Sequence, residues 1–405
     1  MKLATKVAYN TIVQFISKAL STMLGLFAIA LITRYLSPEG YGEYTTATTF
    51  LSFFAIIADM GLTLVTVQLI SQPDADEPRI LGNLMGLRLI SAVFLLALAP
   101  LVSIFFPYSA AIKQAVLIGA ASFVFIALNQ ILVGLFQKNL RMDKVSLAEV
   151  FSRVVLVITT YIAIKQNLGL NGIIWAMVIS SLINFLFHFG FSRQFTRIRL
   201  HFDTDYWFKV LQKSWPLALT IIFNLLYLKT DTLLLSIIPL PSEIGIIAEV
   251  GLYGAAYKVI DVLITLPFMF AGIILPILTA RYASGLREEF KDIYQKSFDA
   301  MVLFAIPMMV GTYFIATQTM SLVAGNKFAA SGPILTILIV AAGAVFIGSI
   351  PAHAVIAIDK QKKIIGAYFF VAVTSILGYM FVIPKFSYFG AAFVTIYSEL
   401  IIASA

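Results

Sequence analysis

The chain has 405 residues, of which 60% are hydrophobic and only 12% are charged, and its formal net charge at pH 7 is +8. A soluble globular domain carries about twice that share of charged residues, so the composition excludes an ordinary soluble protein. The absence of cysteine excludes disulfides, thiol catalysis and thiolate metal sites. The three histidines have no metal-ligand spacing, which argues against a metal centre.

Apolar stretches of about 20 residues recur along the whole chain, close to the length that crosses the hydrocarbon core of a bilayer. The fold class predicted from them is all-α, as an integral membrane protein with about 12 transmembrane helices. In chain order, the spans are expected near residues 10–36, 44–71, 82–106, 112–137, 146–165, 170–192, 212–238, 249–280, 297–320, 331–358, 363–384 and 387–405.

The second half of the sequence repeats motifs of the first half in the same order. Three pairs of segments match: Ser37–Phe50 with Glu249–Asp261, Asn129–Met142 with Ser349–Lys362, and Leu170–Phe185 with Tyr388–Ile401. Any two hydrophobic segments look alike, but the shared order favours a true repeat. Two pseudo-symmetric bundles of six helices around a central cavity are typical of parallel-repeat transporters.

The repeat predicts two lobes, residues 1–200 and 201–405. Between them, Arg193–Lys213 mixes bases with aromatic residues, a composition that suits a cytoplasmic connection at the lipid headgroups. The last span reaches Ala405 without a basic tail, so we expect the natural polypeptide to continue beyond it.

Basic residues are distributed unequally between the two sides of the predicted spans. With the N-terminus inside, cytoplasmic segments hold 18 Lys and Arg residues and external segments hold five. This positive-inside pattern places both termini in the cytoplasm. The basicity therefore indicates membrane orientation, and nucleic acid is not an expected partner.

Charged residues within the predicted spans are the candidate functional residues, because a charge near the bilayer centre costs at least about 2.5 kcal/mol on insertion scales. Each one alone is explained by a structural ion pair or by snorkelling to the surface. Several cations lining one cavity would instead suit an anionic substrate. The candidate substrate-binding residues are Lys18, Arg34, Arg88, Arg153 and Lys229.

Four further charged positions are candidates for ion coupling or charge pairing. Asp59 and Asp231 would anchor the cations or carry a coupling ion, Na+ or H+. Lys258 and Asp261 are three residues apart and can pair on one helix face. Lys229 and Asp231 are two apart, so they point to different faces and are not expected to neutralise each other.

The sequence contains no phosphate-binding glycine-rich loop, and no catalytic triad or carboxylate pair lies in an external loop. We therefore predict that the chain is not an enzyme. A membrane polysaccharide polymerase or ligase would be expected to carry a large external loop, and the predicted external loops are short.

Six motifs occur in a characteristic order and spacing: Thr33–Ala47, Ala58–Ser71, Gly134–Val154, Leu228–Ser236, Val250–Asp261 and Ala324–Leu338. With these motifs, the chain resembles the polysaccharide (O-antigen type, lipid-linked oligosaccharide) flippases of the multidrug/oligosaccharidyl-lipid/polysaccharide (MOP) exporter superfamily.

The resemblance implies a MATE-like, V-shaped pair of bundles and an alternating-access flippase. Its implied substrate is a polyprenyl-pyrophosphate-linked glycan, moved from the cytoplasmic to the outer leaflet of the inner (plasma) membrane for surface polysaccharide biosynthesis. Membrane lipid and a glycan polymerase or glycosyltransferases are the implied partners, with no cofactor beyond a coupling Na+ or H+. Basic cavity residues bind the pyrophosphate in relatives, which maps onto Arg34, Arg88, Arg153 and Lys229. A cation-coupled multidrug exporter and a lipid II flippase of the same superfamily remain alternatives.

Overall fold

The computed structural model of the protein describes residues 3–72, 75–239 and 242–404. The regular structure of these ranges consists of α-helices and short 3-10 helices, which confirms the predicted all-α class. The α-helices are α1 (Leu3–Asp59), α2 (Leu62–Ile70), α3 (Glu77–Ser103), α4 (Ala110–Lys138), α5 (Met142–Lys165), α6 (Gly169–Ser192), α7 (Thr204–Ile237), α8 (Ile246–Leu263), α9 (Thr265–Ala283), α10 (Arg287–Ala324), α11 (Ser331–Ala357) and α12 (Ile365–Ser404).

Within the described ranges, nine helical stretches are long and apolar enough to cross a membrane. Two of them, Val13–Asp59 and Ile365–Ser404, each cover two of the predicted spans. Helix α7 corresponds to the predicted span 212–238. When these two stretches are each counted as two spans and α7 is added, the helices agree with the expectation of about 12 spans. The chain is a multi-pass membrane protein.

The two longest helices each contain one non-helical residue, in α1 within a predicted loop and in α12 at the predicted start of the last span. In α1 this residue is Ser37 (φ 61°, ψ 173°), directly before Pro38. Proline disfavours the helical conformation in the residue before it, which explains the break. In α12 the break is at Ser387 (φ 50°, ψ −135°), three residues after Pro384.

The chain divides into two compact units. Unit 1 comprises Met1–Leu36 and Glu43–Ile222, and unit 2 comprises Ser37–Gly42 and Phe223–Ala405. The division falls within α7 and not at the polar linker, because the first turns of α7 pack through Val210 on the core of unit 1. The predicted lobes, residues 1–200 and 201–405, mark where the sequence repeat divides, and that boundary stays a prediction.

In unit 1, α4 is the central helix and contacts α2, α3, α5 and α6. Its apolar core is formed by side chains of α2, α3, α4 and the start of α7, such as Leu62, Leu84, Leu132 and Val210. In unit 2, α11 has the corresponding position and contacts α8, α9, α10 and α12. The matched sequence segments at residues 129–142 and 349–362 begin within these two helices.

The two glycine-tyrosine motifs of the predicted repeat pack against each other inside unit 2. A Cβ atom on Gly251 would lie 1.9 Å from the carbonyl oxygen of Pro38, and one on Gly42 would lie 1.7 Å from the carbonyl oxygen of Ile247. The ring of Tyr41 meets Phe328 edge-on, at a centroid distance of 5.8 Å. Small residues thus allow the segment after the first span to touch the backbone of α8.

Replacing Gly251 by Ala is expected to lower the stability of the folded chain by about 1–3 kcal/mol, because the added methyl group has to displace the backbone at Pro38. The measurement is the midpoint of thermal unfolding in detergent. Gly272→Ala is the matched control, since a Cβ atom there meets nothing within 4 Å. Equal midpoints for the two variants would show that the close contact at Gly251 is not tight.

Candidate functional site

A cavity of about 470 Å³ lies in unit 1 among α1, α2, α3, α4 and α7. Its described walls are largely apolar, with Phe123 as the largest ring. Five polar side chains interrupt them: Ser52, Asp59, Thr63, Arg88 and Gln130. Of the nine predicted site residues, Asp59 and Arg88 are the two that the described lining brings together.

Asp59 and Arg88 form a buried ion pair in this cavity. Arg88 Nη2 lies 2.9 Å from Asp59 Oδ1, and the two side chains are 1% and 10% exposed. The hydroxyl of Thr63 donates to the same carboxylate oxygen at 2.6 Å. Asp59 ends α1, and the left-handed backbone of Met60 (φ 46°) and Gly61 (φ 73°) turns the chain so that α2 can begin beside it.

The guanidinium of Arg88 joins three helices. Its Nε donates to the carbonyl oxygen of Ala127 at 3.1 Å, and its Nη2 donates to Gln130 Oε1. Its Nη1 has no hydrogen-bond partner among the described residues. Because an arginine has five N–H donors, this arrangement leaves donors for one more acceptor. The pair is electrically neutral, yet it can still bind an oxygen atom of an anion.

A second charge cluster lies in unit 2, where two lysines share one carboxylate. Lys258 Nζ is 3.3 Å from Asp261 Oδ2, and Lys229 Nζ is 3.9 Å from Asp261 Oδ1. Lys258 and Asp261 thus pair as their spacing predicts. The Lys229 ammonium also lies over the ring of Tyr257, 4.6 Å from its centroid.

The cluster formed by Lys229, Lys258 and Asp261 carries a net charge of about +1, since two ammonium groups face one carboxylate. Its side chains are between 31% and 45% exposed. These exposed fractions leave room for an incoming group, and they are larger than those of the Asp59–Arg88 pair, 1% and 10%. The cluster can therefore bind an anion without first losing its own packing.

Asp231, only two residues from Lys229, lies in a different environment. Its carboxylate is fully buried and accepts hydrogen bonds from the hydroxyl of Tyr253 at 2.6 Å and from the backbone N–H and hydroxyl of Thr232 at 2.5 and 3.1 Å. Thr395 Oγ1 lies 3.3 Å from the Tyr253 hydroxyl and also 3.3 Å from the Tyr379 hydroxyl.

No cation of the described chain forms an ion pair with Asp231. A buried carboxylate is costly unless it is paired, binds a cation or takes up a proton. Around Asp231 the available groups are hydroxyls and a backbone N–H, which satisfy hydrogen bonds but do not neutralise the charge. This arrangement can hold a proton or a small cation.

The three remaining predicted cations are exposed side chains of unit 1: Lys18, Arg34 and Arg153. None of them is among the described residues that line the unit 1 cavity. Arg34 Nη1 donates to the carbonyl oxygen of Ala30, one turn earlier in its own helix, at 3.2 Å. A role of these three residues in substrate binding stays a prediction.

The sequence analysis missed the uncharged polar residues of both sites. Thr63 and Gln130 complete the unit 1 pair, and Tyr253, Tyr379 and Thr395 surround Asp231. The signal available in the sequence was weak: Gln130 within an apolar stretch of α4, and tyrosines within apolar spans. Such residues are indistinguishable by spacing from ordinary helix-packing residues.

Comparison with known proteins places the chain in a family. The model of the family described as "Polysaccharide biosynthesis protein" matches residues 31–333. A comparison with curated protein sequences gives no match.

Solved structures show the same fold. The lipid II flippase MurJ in an inward closed conformation matches with a TM-score of 0.76 and 18% identity, over 98% of this chain and 86% of that one. An inward-facing multidrug resistance MATE family transporter of the MOP superfamily matches with a TM-score of 0.76 and 14% identity, over 97% and 96%. A MOP superfamily transporter from Pyrococcus furiosus matches with a TM-score of 0.66 and 14% identity, over 98% and 93%.

These TM-scores establish the shared fold, which confirms the predicted MATE-like architecture. The family match covers about three quarters of the sequence. The resemblance that the motifs indicate is thereby confirmed. The chain belongs to the polysaccharide biosynthesis protein family and has the fold of the MOP superfamily of transporters.

Proposed function

We propose that this chain is an alternating-access flippase that moves a polyprenyl-pyrophosphate-linked oligosaccharide from the cytoplasmic to the outer leaflet, for surface polysaccharide biosynthesis. The observation that carries the proposal is the net positive, partly exposed cluster of Lys229, Lys258 and Asp261 in unit 2. Its two ammonium groups belong to predicted membrane spans and suit a pyrophosphate, because lysine binds phosphate oxygens well.

The unit 1 cavity supports the same substrate class. The unpaired Nη1 of Arg88 offers charge-assisted hydrogen bonds to one anionic oxygen, in apolar surroundings that strengthen them. A flippase of this kind performs no covalent chemistry, so we propose a transporter and not an enzyme. Its partners are the lipid-linked glycan, membrane lipid and the glycosyltransferases or polymerase of the pathway.

We also propose a location in the plasma membrane with both termini cytoplasmic, and the basic residues support this orientation. In unit 1, α4 and α6 end and α3, α5 and α7 begin at the same side of the helix bundle. The basic residues at this side are Arg79, Lys138, Arg141, Lys144, Arg193, Arg197, Arg199, Lys209 and Lys213, whereas Lys113 and Lys165 lie at the opposite helix ends. By the positive-inside rule, the basic side is the cytoplasmic side.

The experiment that tests the proposal is leaflet exchange in reconstituted vesicles. The purified chain is inserted into vesicles that contain a fluorescent polyprenyl-pyrophosphate oligosaccharide, and loss of the outer-leaflet signal is followed against protein-free vesicles. We expect exchange of this lipid to exceed exchange of a fluorescent cationic drug or of lipid II. Transport of the drug alone would replace the proposal with a multidrug exporter, and transport of lipid II alone would make the chain a lipid II flippase.

Asp231 is the specific feature that favours an ion-coupled transporter, which an exporter and a flippase can share. Asp231→Asn keeps the size of the side chain and removes its ability to carry a charge or a proton. We expect uptake or exchange driven by an imposed H+ or Na+ gradient to fall at least about tenfold, because a site that cannot change its charge loses the coupling free energy of at least ~1.4 kcal/mol.

The gradient that loses its effect in Asp231→Asn identifies the coupling ion. Asp292→Asn is the matched control, since Asp292 is an exposed carboxylate that pairs with Lys296 on α10. An unchanged gradient dependence in Asp231→Asn would exclude this residue as the coupling site.

A further inference from the structure

The connection between α6 and α7, together with the first turns of α7, has a basic and aromatic outer face. This face belongs neither to the core of unit 1 nor to the proposed transport site. We call it the basic platform. Five of its side chains are exposed cations: Arg193, Arg197, Arg199, Lys209 and Lys213. Four more are exposed apolar side chains, between 47% and 63% exposed: Leu200, Phe202, Phe208 and Trp215.

The platform is fixed to α3 by close backbone contacts. A Cβ atom on Gly82 would lie 2.1 Å from the carbonyl oxygen of Arg199, and one on Gly86 would lie 2.4 Å from that of His201. The backbone N–H of His201 donates to the carbonyl oxygen of Gly82 at 3.2 Å. The connection therefore follows the surface of α3 directly, which only glycine at these positions permits.

Side chains add three further links. Trp207 Nε1 donates to the carbonyl oxygen of Asn83 at 3.0 Å, and the backbone N–H of Asp203 donates to Asn83 Oδ1 at 3.0 Å. Arg79 Nη2 lies 3.4 Å from Asp203 Oδ2. The backbone N–H of Tyr206 and the nearby Arg79 hold the pKa of the Asp203 carboxyl below its ordinary value, so this carboxylate stays charged and compensates Arg79.

The first turns of α7 divide into an inner and an outer face. Tyr206, Trp207, Val210 and Leu211 pack on the core of unit 1. The outer face carries the platform residues of the helix, the cations Lys209 and Lys213 and the rings of Phe208 and Trp215. A helix with one packed face and one basic, aromatic face is typical of a segment at the membrane interface.

The cations of the platform lack local counter-charges. None of the five forms an ion pair with a carboxylate of the described chain, in contrast to Arg79, Lys138 and Arg141 at the same side of unit 1. Asp205, in the first turn of α7, is the exposed carboxylate within the platform sequence. Four positive charges therefore remain uncompensated on a surface that also exposes rings.

From this arrangement we infer that the basic platform is a binding site for the headgroups of anionic phospholipids, with its exposed rings inserted at the level of the first acyl carbons. Anionic headgroups supply the missing negative charge, and the apolar side chains explain why the partner is a lipid and not a water-soluble polyanion. The site lies where helices of a multi-pass membrane protein end, so such lipids are always within reach.

The test uses fluorescence quenching by brominated lipids in vesicles of the full chain. Trp175 is replaced by Phe, because Trp175 lies near the start of α6, whereas Trp215 is on the platform and Trp207 lies on the inner face of the same turns of α7. Vesicles contain the same fraction of brominated lipid, either brominated phosphatidylglycerol in phosphatidylcholine or the reverse. We expect the phosphatidylglycerol association constant to exceed that of phosphatidylcholine about fivefold or more at low salt and to approach it at 1 M salt, where the Debye length is about 3 Å.

The variant R197Q/R199Q/K209Q/K213Q should abolish the preference, and R197K/R199K/K209R/K213R should retain it. The control R281Q/R287Q/K291Q/K296Q removes the same charge from unit 2, where Arg281, Lys291 and Lys296 pair with Glu289, Glu288 and Asp292. Equal quenching by both lipids in the parent protein overturns the inference without any charge variant having to fold. An equal loss in the unit 2 control would also overturn it, because the preference would then follow net charge alone.

Discussion

Replacing Asp59 by Asn while Arg88 is kept is expected to lower the free energy of unfolding by about 3–5 kcal/mol, the cost of leaving a buried charge without its partner. Arg88 is 1% exposed, and its ion pair with Asp59 measures 2.9 Å. Neither Gln130 nor the carbonyl oxygen of Ala127, its other partners, carries a negative charge. The measurement is denaturant or thermal unfolding of the purified protein in detergent.

The double variant D59L/R88M removes both charges and keeps similar side-chain volumes. A buried pair replaced by apolar residues is often neutral in stability, so we expect this variant to recover most of the loss. The surface variant Glu288→Gln, which breaks an exposed pair with Lys291, should cost less than about 1 kcal/mol and serves as the control. A single variant at Asp59 as mild as this control would contradict a buried pair.

The double variant also separates structure from transport. If Arg88 only holds α1, α3 and α4 together, D59L/R88M should fold and still exchange the lipid-linked oligosaccharide. If its Nη1 binds substrate, the same folded variant should be slow. We expect slow exchange, because the cavity then loses its only cationic donor within the described lining.

Local sequence rules predicted the features of this fold that depend on neighbouring residues. The pairing of Lys258 with Asp261 follows from their spacing of three on one helix, and both charges lie on α8. The break of α1 at Ser37 follows from Pro38. The spans themselves follow from the length of the apolar stretches. In each case the cause and its effect lie within a few residues of each other.

The contacts between helices could not be predicted in the same way. Asp59 and Arg88 are 29 positions apart on α1 and α3, and nothing in either helix indicates which residue the other one meets. Asp231 and Tyr253 pair across α7 and α8 for reasons of packing. A search limited to charged residues therefore identified the carboxylate but missed the phenols around it.

The predicted convergence of five cations also depended on such long-range packing. The sequence counts charges in spans but does not give the rotation of each helix about its own axis. In unit 1 that rotation places Arg88 inward and leaves Arg34 and Arg153 exposed. Charge within a predicted span thus selects candidate residues, but it does not indicate which of them share a site.

Removing the positive charge of the unit 2 cluster is expected to have the largest effect on transport. Lys229→Gln and Lys258→Gln should each slow exchange of the lipid-linked oligosaccharide about tenfold or more, since a hydrogen bond to a charged group contributes about 1.5–3 kcal/mol. The double variant should approach the rate of protein-free vesicles. Stability should change little, because the side chains are partly exposed and their ion pairs are longer than 3 Å.

Asp261→Asn should strengthen substrate binding, which is the opposite of the effect expected for the two lysine variants. The carboxylate of Asp261 competes with substrate for both ammonium groups, so its removal should lower the substrate concentration that gives half-maximal exchange. The maximal rate should fall, because a more tightly held pyrophosphate leaves more slowly. A fall in the rate without any change in the half-maximal concentration would mean that Asp261 only supports the helices.

The sign of these two effects distinguishes an anion site from a structural cluster. If the cluster merely joins α7 to α8, then variants at Lys229, Lys258 and Asp261 all break the same contacts and should impair transport alike. If the cluster binds pyrophosphate, the lysine variants raise the half-maximal concentration and Asp261→Asn lowers it. Lys291→Gln, which removes an exposed and paired lysine of α10 in the same unit, controls for net charge. Equal shifts for the three cluster variants would leave the proposed flippase without its anion site.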